Sequence, residues 1–143
     1  MENLLISACL LGVRCRYDGK SVSRVDVASL SKKYNLIPIC PEIYGGLETP
    51  RVPSERVGER VVMKDGRDVT ENYLRGAEET FRLAELFSAK KALLKARSPS
   101  CGKDMIYDGS FSGALTERDG VTAEYLKARG IEVFSESEID KLL

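Results

Sequence analysis

A chain of 143 residues, 43% hydrophobic and 31% charged, has the size and balance of one globular domain spanning residues 1–143, outside the disordered and fibrous classes. Lys plus Arg and Asp plus Glu both number 22, so no net field draws it to polyanions, and nucleic acid is not expected among its partners. The absence of histidine excludes Ser-His-Asp and Cys-His nucleophile pairs and histidine-ligated zinc, leaving proton transfer to Glu, Asp, Lys, Tyr, Ser or Cys.

Asn3 to Cys9 is an apolar run bounded by polar residues, which predicts a first strand buried on both faces. Ile6-Ser7-Ala8-Cys9 has the outline of a lipidation signal. Only Leu4, Leu5 and Ile6 precede its small residues, however, and Glu2 stands where a basic region would be needed, so the run reads as strand. No segment approaches the roughly 20 apolar residues of a membrane span, and a cytoplasmic protein is expected. Leu10 to Ser23 reads as loop, Val25 to Tyr34 as a short helix, and Leu36 to Cys40 as a second strand whose Pro38 suggests an edge position.

Pro41 to Gly58, rich in Pro and Gly, reads as a long ordered loop, and Arg60 to Val69 carries hairpin chemistry around Lys64-Asp65-Gly66. Thr70 is read as the N-cap of a helix reaching about Ala89, with Tyr73, Leu74, Ala77, Phe81, Ala84 and Leu86 on its apolar face. Lys91 to Ala96 is a third strand, Met105 to Thr116 a loop, and Gly120 to Arg129 a helix. Ile131 to Phe134 is a fourth strand and Glu136 to Leu143 a terminal helix. This alternation predicts an α/β fold: a single-domain three-layer sandwich with a mostly parallel sheet, Rossmann-like or flavodoxin-like.

In such a sheet, ligands bind at the carboxyl ends of the strands. Cys9 and Cys40 end the first two strands, and Cys101 follows the third within Ser98-Pro99-Ser100-Cys101-Gly102. The topology therefore brings three thiols to one edge. Without histidine they suit either zinc, with Cys15 or a carboxylate as fourth ligand, or an iron-sulfur cluster. Buried cysteines acting only as small hydrophobes are the bland alternative. No Cys-x-x-Cys pair exists to support a thiol redox enzyme.

Ser7-Ala8-Cys9-Leu10-Leu11-Gly12 with Arg16-Tyr17-Asp18-Gly19, Cys40-Pro41-Glu42 with Gly45-Gly46-Leu47 and Pro50-Arg51, and Ser98-Pro99-Ser100-Cys101-Gly102 stand in order over nearly the whole chain. In this the chain resembles the thiouracil desulfidase family. The resemblance implies a [4Fe-4S] cluster held by Cys9, Cys40 and Cys101, with Glu42 and Ser98 handling protons. It also implies a small thiolated pyrimidine, 2- or 4-thiouracil, converted to uracil and sulfide by attack of water while the sulfur is bound to the cluster's open iron.

The residues themselves agree in outline. Glu42 lies two positions from a proposed ligand and is the natural base in a histidine-free cavity, although a solvated loop Glu fits the same pattern. Ser98 reads equally as a proton relay or as the turn former before Pro99. Arg51, Arg97 and Lys103 flank these loops and could polarise a carbonyl, offset cluster charge or face solvent. A zinc-stabilised interaction module without catalysis is the rival reading, and the oligomeric state is left open.

Overall fold

A computed structural model describes residues 1–20 and 25–143. Four strands, β1 (Glu2–Ser7), β2 (Tyr34–Ile39), β5 (Lys91–Leu94) and β8 (Glu132–Ser135), form one wholly parallel sheet in the order β2-β1-β5-β8. Pro38 accordingly lies on an edge strand, where a missing amide proton is tolerated. The expected α/β class holds. The order reverses at β1, whose neighbours are β2 and β5, so the crevice of a flavodoxin-like sheet opens at the carboxyl ends of β1 and β5.

Alternation of side chains along each strand divides the core between two faces. Leu4, Ile6, Leu93 and Phe134 point to one side, where they pack with Leu30 of helix α1 (Val27–Lys33) and with Leu142. Leu5, Ala92, Leu94 and Val133 point to the other, against Ala84 of α3 (Thr70–Leu86) and Ala123 and Leu126 of α4 (Val121–Ala128). Strands covered on both faces need continuous apolar runs, which is what the sequence supplies.

The expected boundaries shift where tertiary contacts intervene. The first strand stops at Ser7, and Cys9 falls in a 3-10 turn, Ala8–Leu11, closed by Gly12 in the left-handed region at φ 93°. Asp26 caps α1 by accepting the Ser29 amide at 3.0 Å, so that helix starts at Val27; residues 21–24, which include the end of the expected first loop, lie outside the described residues. Thr70 is the first helical residue of α3 rather than its cap, its amide held by Asp68 at 2.9 Å, and Leu74 and Leu86, expected on its apolar face, are exposed because the helix packs through Tyr73, Gly76, Ala77, Thr80 and Ala84. The terminal segment forms a 3-10 helix, Glu136–Lys141, with a capping box between Ser135 and Glu138.

Two expected loops carry structure. Within Pro41 to Gly58, residues Pro41–Tyr44 form a short helix, α2, and Ser54–Val57 form strand β3, antiparallel to β4 (Arg60–Met63). The anticipated turn at Lys64-Asp65-Gly66 exists, but its second arm is reduced to one bridge between Val62 and Asp68, while β3 pairs along the other edge of β4. Met105 to Thr116 folds into a second hairpin, β6 (Met105–Tyr107) against β7 (Leu115–Glu117). Both hairpins lie beyond the carboxyl edge of the sheet and wall the crevice.

Candidate functional site

A cavity of about 680 Å³ occupies the crevice, and all four cysteines line it. Cys9 enters from the turn after β1, Cys15 from the following loop, Cys40 from the end of β2, and Cys101 from the loop after β5. All four are free thiols, and Cys9 and Cys101 are buried. The three cysteines expected at one sheet edge all line this cavity, and so does Cys15. Among the described residues no three Cys, Asp or Glu side chains close round a single metal ion, so a preformed four-ligand zinc site is not present there.

The Cys101 loop owes its shape to Ser98 and α4. Ser98 Oγ accepts the amides of Ser100 and Cys101, each at 3.0 Å, while the Ser98 carbonyl accepts that of Gly102 at 2.9 Å. The first amides of α4 then donate to the loop: Val121 to the Pro99 carbonyl at 2.8 Å and Thr122 to the Ser100 carbonyl at 2.9 Å. Helix and loop thereby satisfy each other's orphan groups. Ser98 is a turn former by its two accepted bonds, and its own hydroxyl proton remains available on a cavity-lining side chain.

The Cys40 loop is set by close helix packing. Gly76 of α3 brings its backbone against the carbonyl of Pro41, where any Cβ would overlap, and Gly45 does the same against the Asn72 carbonyl. This presses α2 onto α3 and fixes Cys40, the N-cap of α2, together with Glu42 in its first turn.

The thiols divide electrostatically. The Cys40 thiol reaches the Cys15 carbonyl at 3.9 Å, and hydrogen bonding between the Cys15 and Cys40 side chains, with the Ile43 amide, brings Cys40 down to about 7 against the opposing effect of burial. That same bond is the main reason Cys15 is pushed far up. Burial raises Cys9 to about 11, and burial likewise drives Cys101 upward despite a hydrogen bond from Ser7. Desolvation and mutual repulsion thus oppose three thiolates in one cavity, and a soft polycationic group that replaces the protons would resolve this.

Glu42 is held from two sides. Arg51 Nε donates to Glu42 Oε1 at 3.1 Å, and the Tyr73 hydroxyl donates to the same oxygen at 3.0 Å. The Arg51 side chain is only 3% exposed and also donates to the carbonyls of Cys15 and Glu48 and to Thr49 Oγ1. Oε2 takes no bond from the described residues and is not buried, so it is the oxygen left to act.

Of the other flanking cations, Arg97 lines the cavity, whereas Lys103 pairs with Glu138 at 2.7 Å. Asp18 holds the Lys20 amide at 3.0 Å, and the Tyr17 carbonyl accepts the Arg51 amide at 2.7 Å, so the first loop is tied down by both. Sequence reading missed Tyr73 as a site residue because its position marks it as helix core. It also missed Ser7, whose hydroxyl contacts Cys101 from within a strand, and Tyr107 and Phe111, which lie in a segment expected to be loop.

Soft sulfur donors and one anchored carboxylate, gathered at the switch point of a parallel sheet, define an α/β protein that acts on a small molecule in a thiol-lined pocket. Residues 4–138 match the family model described as 2-thiouracil desulfurase. An uncharacterized protein of Bacillus subtilis (strain 168), YbbK, is 39% identical over 98% of this chain and 99% of its own length. The solved structure of the [4Fe-4S]-dependent thiouracil desulfidase TudS superimposes with a TM-score of 0.95 at 44% identity, covering 99% of this chain and 95% of that one. The chain belongs to the 2-thiouracil desulfurase family.

Proposed function

We propose that this chain is a [4Fe-4S]-dependent desulfidase that removes sulfur from a small thiolated pyrimidine, with residues 1–143 acting as one domain. The observation that carries the reading is the cavity in which Cys9, Cys40 and Cys101 meet beside the free oxygen of Glu42. These three cysteines are the proposed cluster ligands: each comes from a different strand end, and their sulfur suits iron-sulfur chemistry. When bound, a cluster with three protein thiolates supplies an open, soft Lewis-acid position for a thiocarbonyl sulfur.

Glu42 Oε2 takes a proton from water as it attacks the thiocarbonyl carbon. Arg51 and Tyr73 keep the carboxylate from rotating away. The hydroxyl of Ser98, beside Cys101, passes a proton to the departing side of the ring. The balance is one water consumed, with uracil and sulfide formed from thiouracil and no net change of oxidation state. No helix among the described residues is long and apolar enough to cross a membrane. A free pyrimidine in the cytoplasm, rather than nucleic acid, is the proposed setting, in keeping with the net charge of +0.

Protein purified and reconstituted with iron and sulfide without oxygen is expected to convert 2-thiouracil or 4-thiouracil to uracil with equimolar sulfide and no added electron donor. Cluster-free protein is expected to be inert. A fully loaded protein that leaves both thiouracils untouched would refute the substrate class. A need for reductant in every turnover would refute hydrolysis.

A further inference from the structure

The β6–β7 hairpin turns through Asp108 to Ala114, and its tip is unusual for a surface turn. Gly109, Phe111 and Gly113 all take positive φ, and for Phe111 the value is 56°, a region in which a bulky side chain is rarely found. The loop is nevertheless tightly determined. Glu55, 8% exposed on β3, uses a single oxygen, Oε1, to accept the amides of Gly109 at 2.9 Å and Phe111 at 3.1 Å. Asp108 accepts the Ser110 amide at 2.9 Å, its own amide donates to the Ala114 carbonyl at 3.0 Å, and the hydroxyls of Ser110 and Ser112 meet at 2.6 Å.

No Lys or Arg pairs with Glu55 among the described residues, so this nearly buried carboxylate serves the hairpin. The outcome is that Phe111 and, from β6, Tyr107 line the cavity. Of the other aromatic side chains there, Tyr73 is committed to Glu42 and Tyr17 stands on the loop after β1. Strain accepted in order to hold an aromatic ring rigidly against a pocket is explained if that ring meets a planar ligand.

We propose that Phe111, with Tyr107, is the substrate-binding face on which the pyrimidine ring stacks, and that Glu55 is the positioning residue that sets it. This rests on the desulfidase reading and adds the residue that governs affinity. The cavity's thiols, charges and hydroxyls bind the ring's edges, and a π-face needs a π-face or a guanidinium; Tyr17, Arg16 and Arg97 also line the cavity, but Phe111 is the one set by the turn that Glu55 anchors.

The test uses cluster-loaded protein with 2-thiouracil as substrate and uracil as a calorimetric ligand. Phe111→Ala is expected to raise KM and the uracil dissociation constant about tenfold with kcat and the cluster absorption spectrum little changed. Phe111→Gly should weaken binding equally while leaving the melting temperature unchanged or higher, because glycine relieves the positive φ. Phe111→Trp should keep wild-type affinity. As the chain has no other tryptophan, its emission should change on titration with uracil.

Unaltered KM and uracil affinity in both Phe111→Ala and Phe111→Gly would overturn the proposal. So would weakened binding that appears only together with a lost cluster or a lowered melting temperature, which would mark a purely structural residue. Wild-type protein that turns over while the variants match it condemns the stacking face alone. Wild-type protein that neither turns over nor binds uracil condemns the desulfidase reading and the stacking face together.

Discussion

Tyr73 and Arg51 share one oxygen. The Tyr73 hydroxyl and Arg51 Nε both donate to Glu42 Oε1, at 3.0 and 3.1 Å, one from a helix and the other from a loop. Tyr73 is buried, and its hydroxyl is pushed well above its usual value, first by burial and then by the Glu42 charge, so it stays a donor. A carboxylate gripped at one oxygen presents the other in a fixed direction, which is the requirement for a positioned base.

Glu42→Gln is therefore expected to lower turnover by about 10² to 10⁴ while the cluster spectrum persists, the usual contribution of a positioned proton-transfer group. Tyr73→Phe keeps the ring and removes one donor, and a drop in kcat of about tenfold with KM unchanged is expected. Single-turnover kinetics on cluster-loaded protein check both. Near-native turnover by Glu42→Gln would refute its role as the base.

Iron and sulfide analysis distinguishes the cysteines. Cys9→Ser, Cys40→Ser and Cys101→Ser should each lose stable binding of about four irons, whereas Cys15→Ser should retain them. Ser98→Ala joins this series because it strands the amides of Ser100, which is fully buried, and of Cys101. It should weaken cluster retention as well as turnover, and Ser98→Thr should restore retention. Equal loss in all four cysteine variants would point to a closed four-thiol site.

A separate prediction concerns acid stability. Lys103 Nζ bonds both oxygens of Glu138, at 2.7 and 2.9 Å, which with Lys141 and the Ser135 amide lowers Glu138 to about 2. A folded-state value below the unfolded one gives stability that is complete above about pH 4.5 and is lost as the pH falls toward 2. Glu138→Gln should cost about 1 to 3 kcal/mol at pH 7, and the difference from wild type should shrink across that window in denaturant titrations. A difference independent of pH would contradict this account.

The alternation of apolar runs with helical segments was legible because each sheet strand is buried on both faces, and Leu4-Leu5-Ile6 or Leu93-Leu94 can satisfy no other environment. From that alternation the strand ends could be ordered, and with them the meeting of Cys9, Cys40 and Cys101 at one edge. Motif order carried the family in the same way, since the three cysteine segments occupy fixed places along the chain.

What lay beyond local pattern was every feature that depends on a partner distant in sequence. Strand β3 exists because β4 offers it an edge, and the β6–β7 hairpin holds its strained tip because Glu55, more than 50 residues away, accepts its amides. Tyr73 has the spacing of a core residue, and only the packing of α2 on α3, allowed by Gly45 and Gly76, turns its hydroxyl into a donor to Glu42. Periodicity reports which face of an element is buried, whereas the direction of one polar atom on that face is decided by tertiary contact.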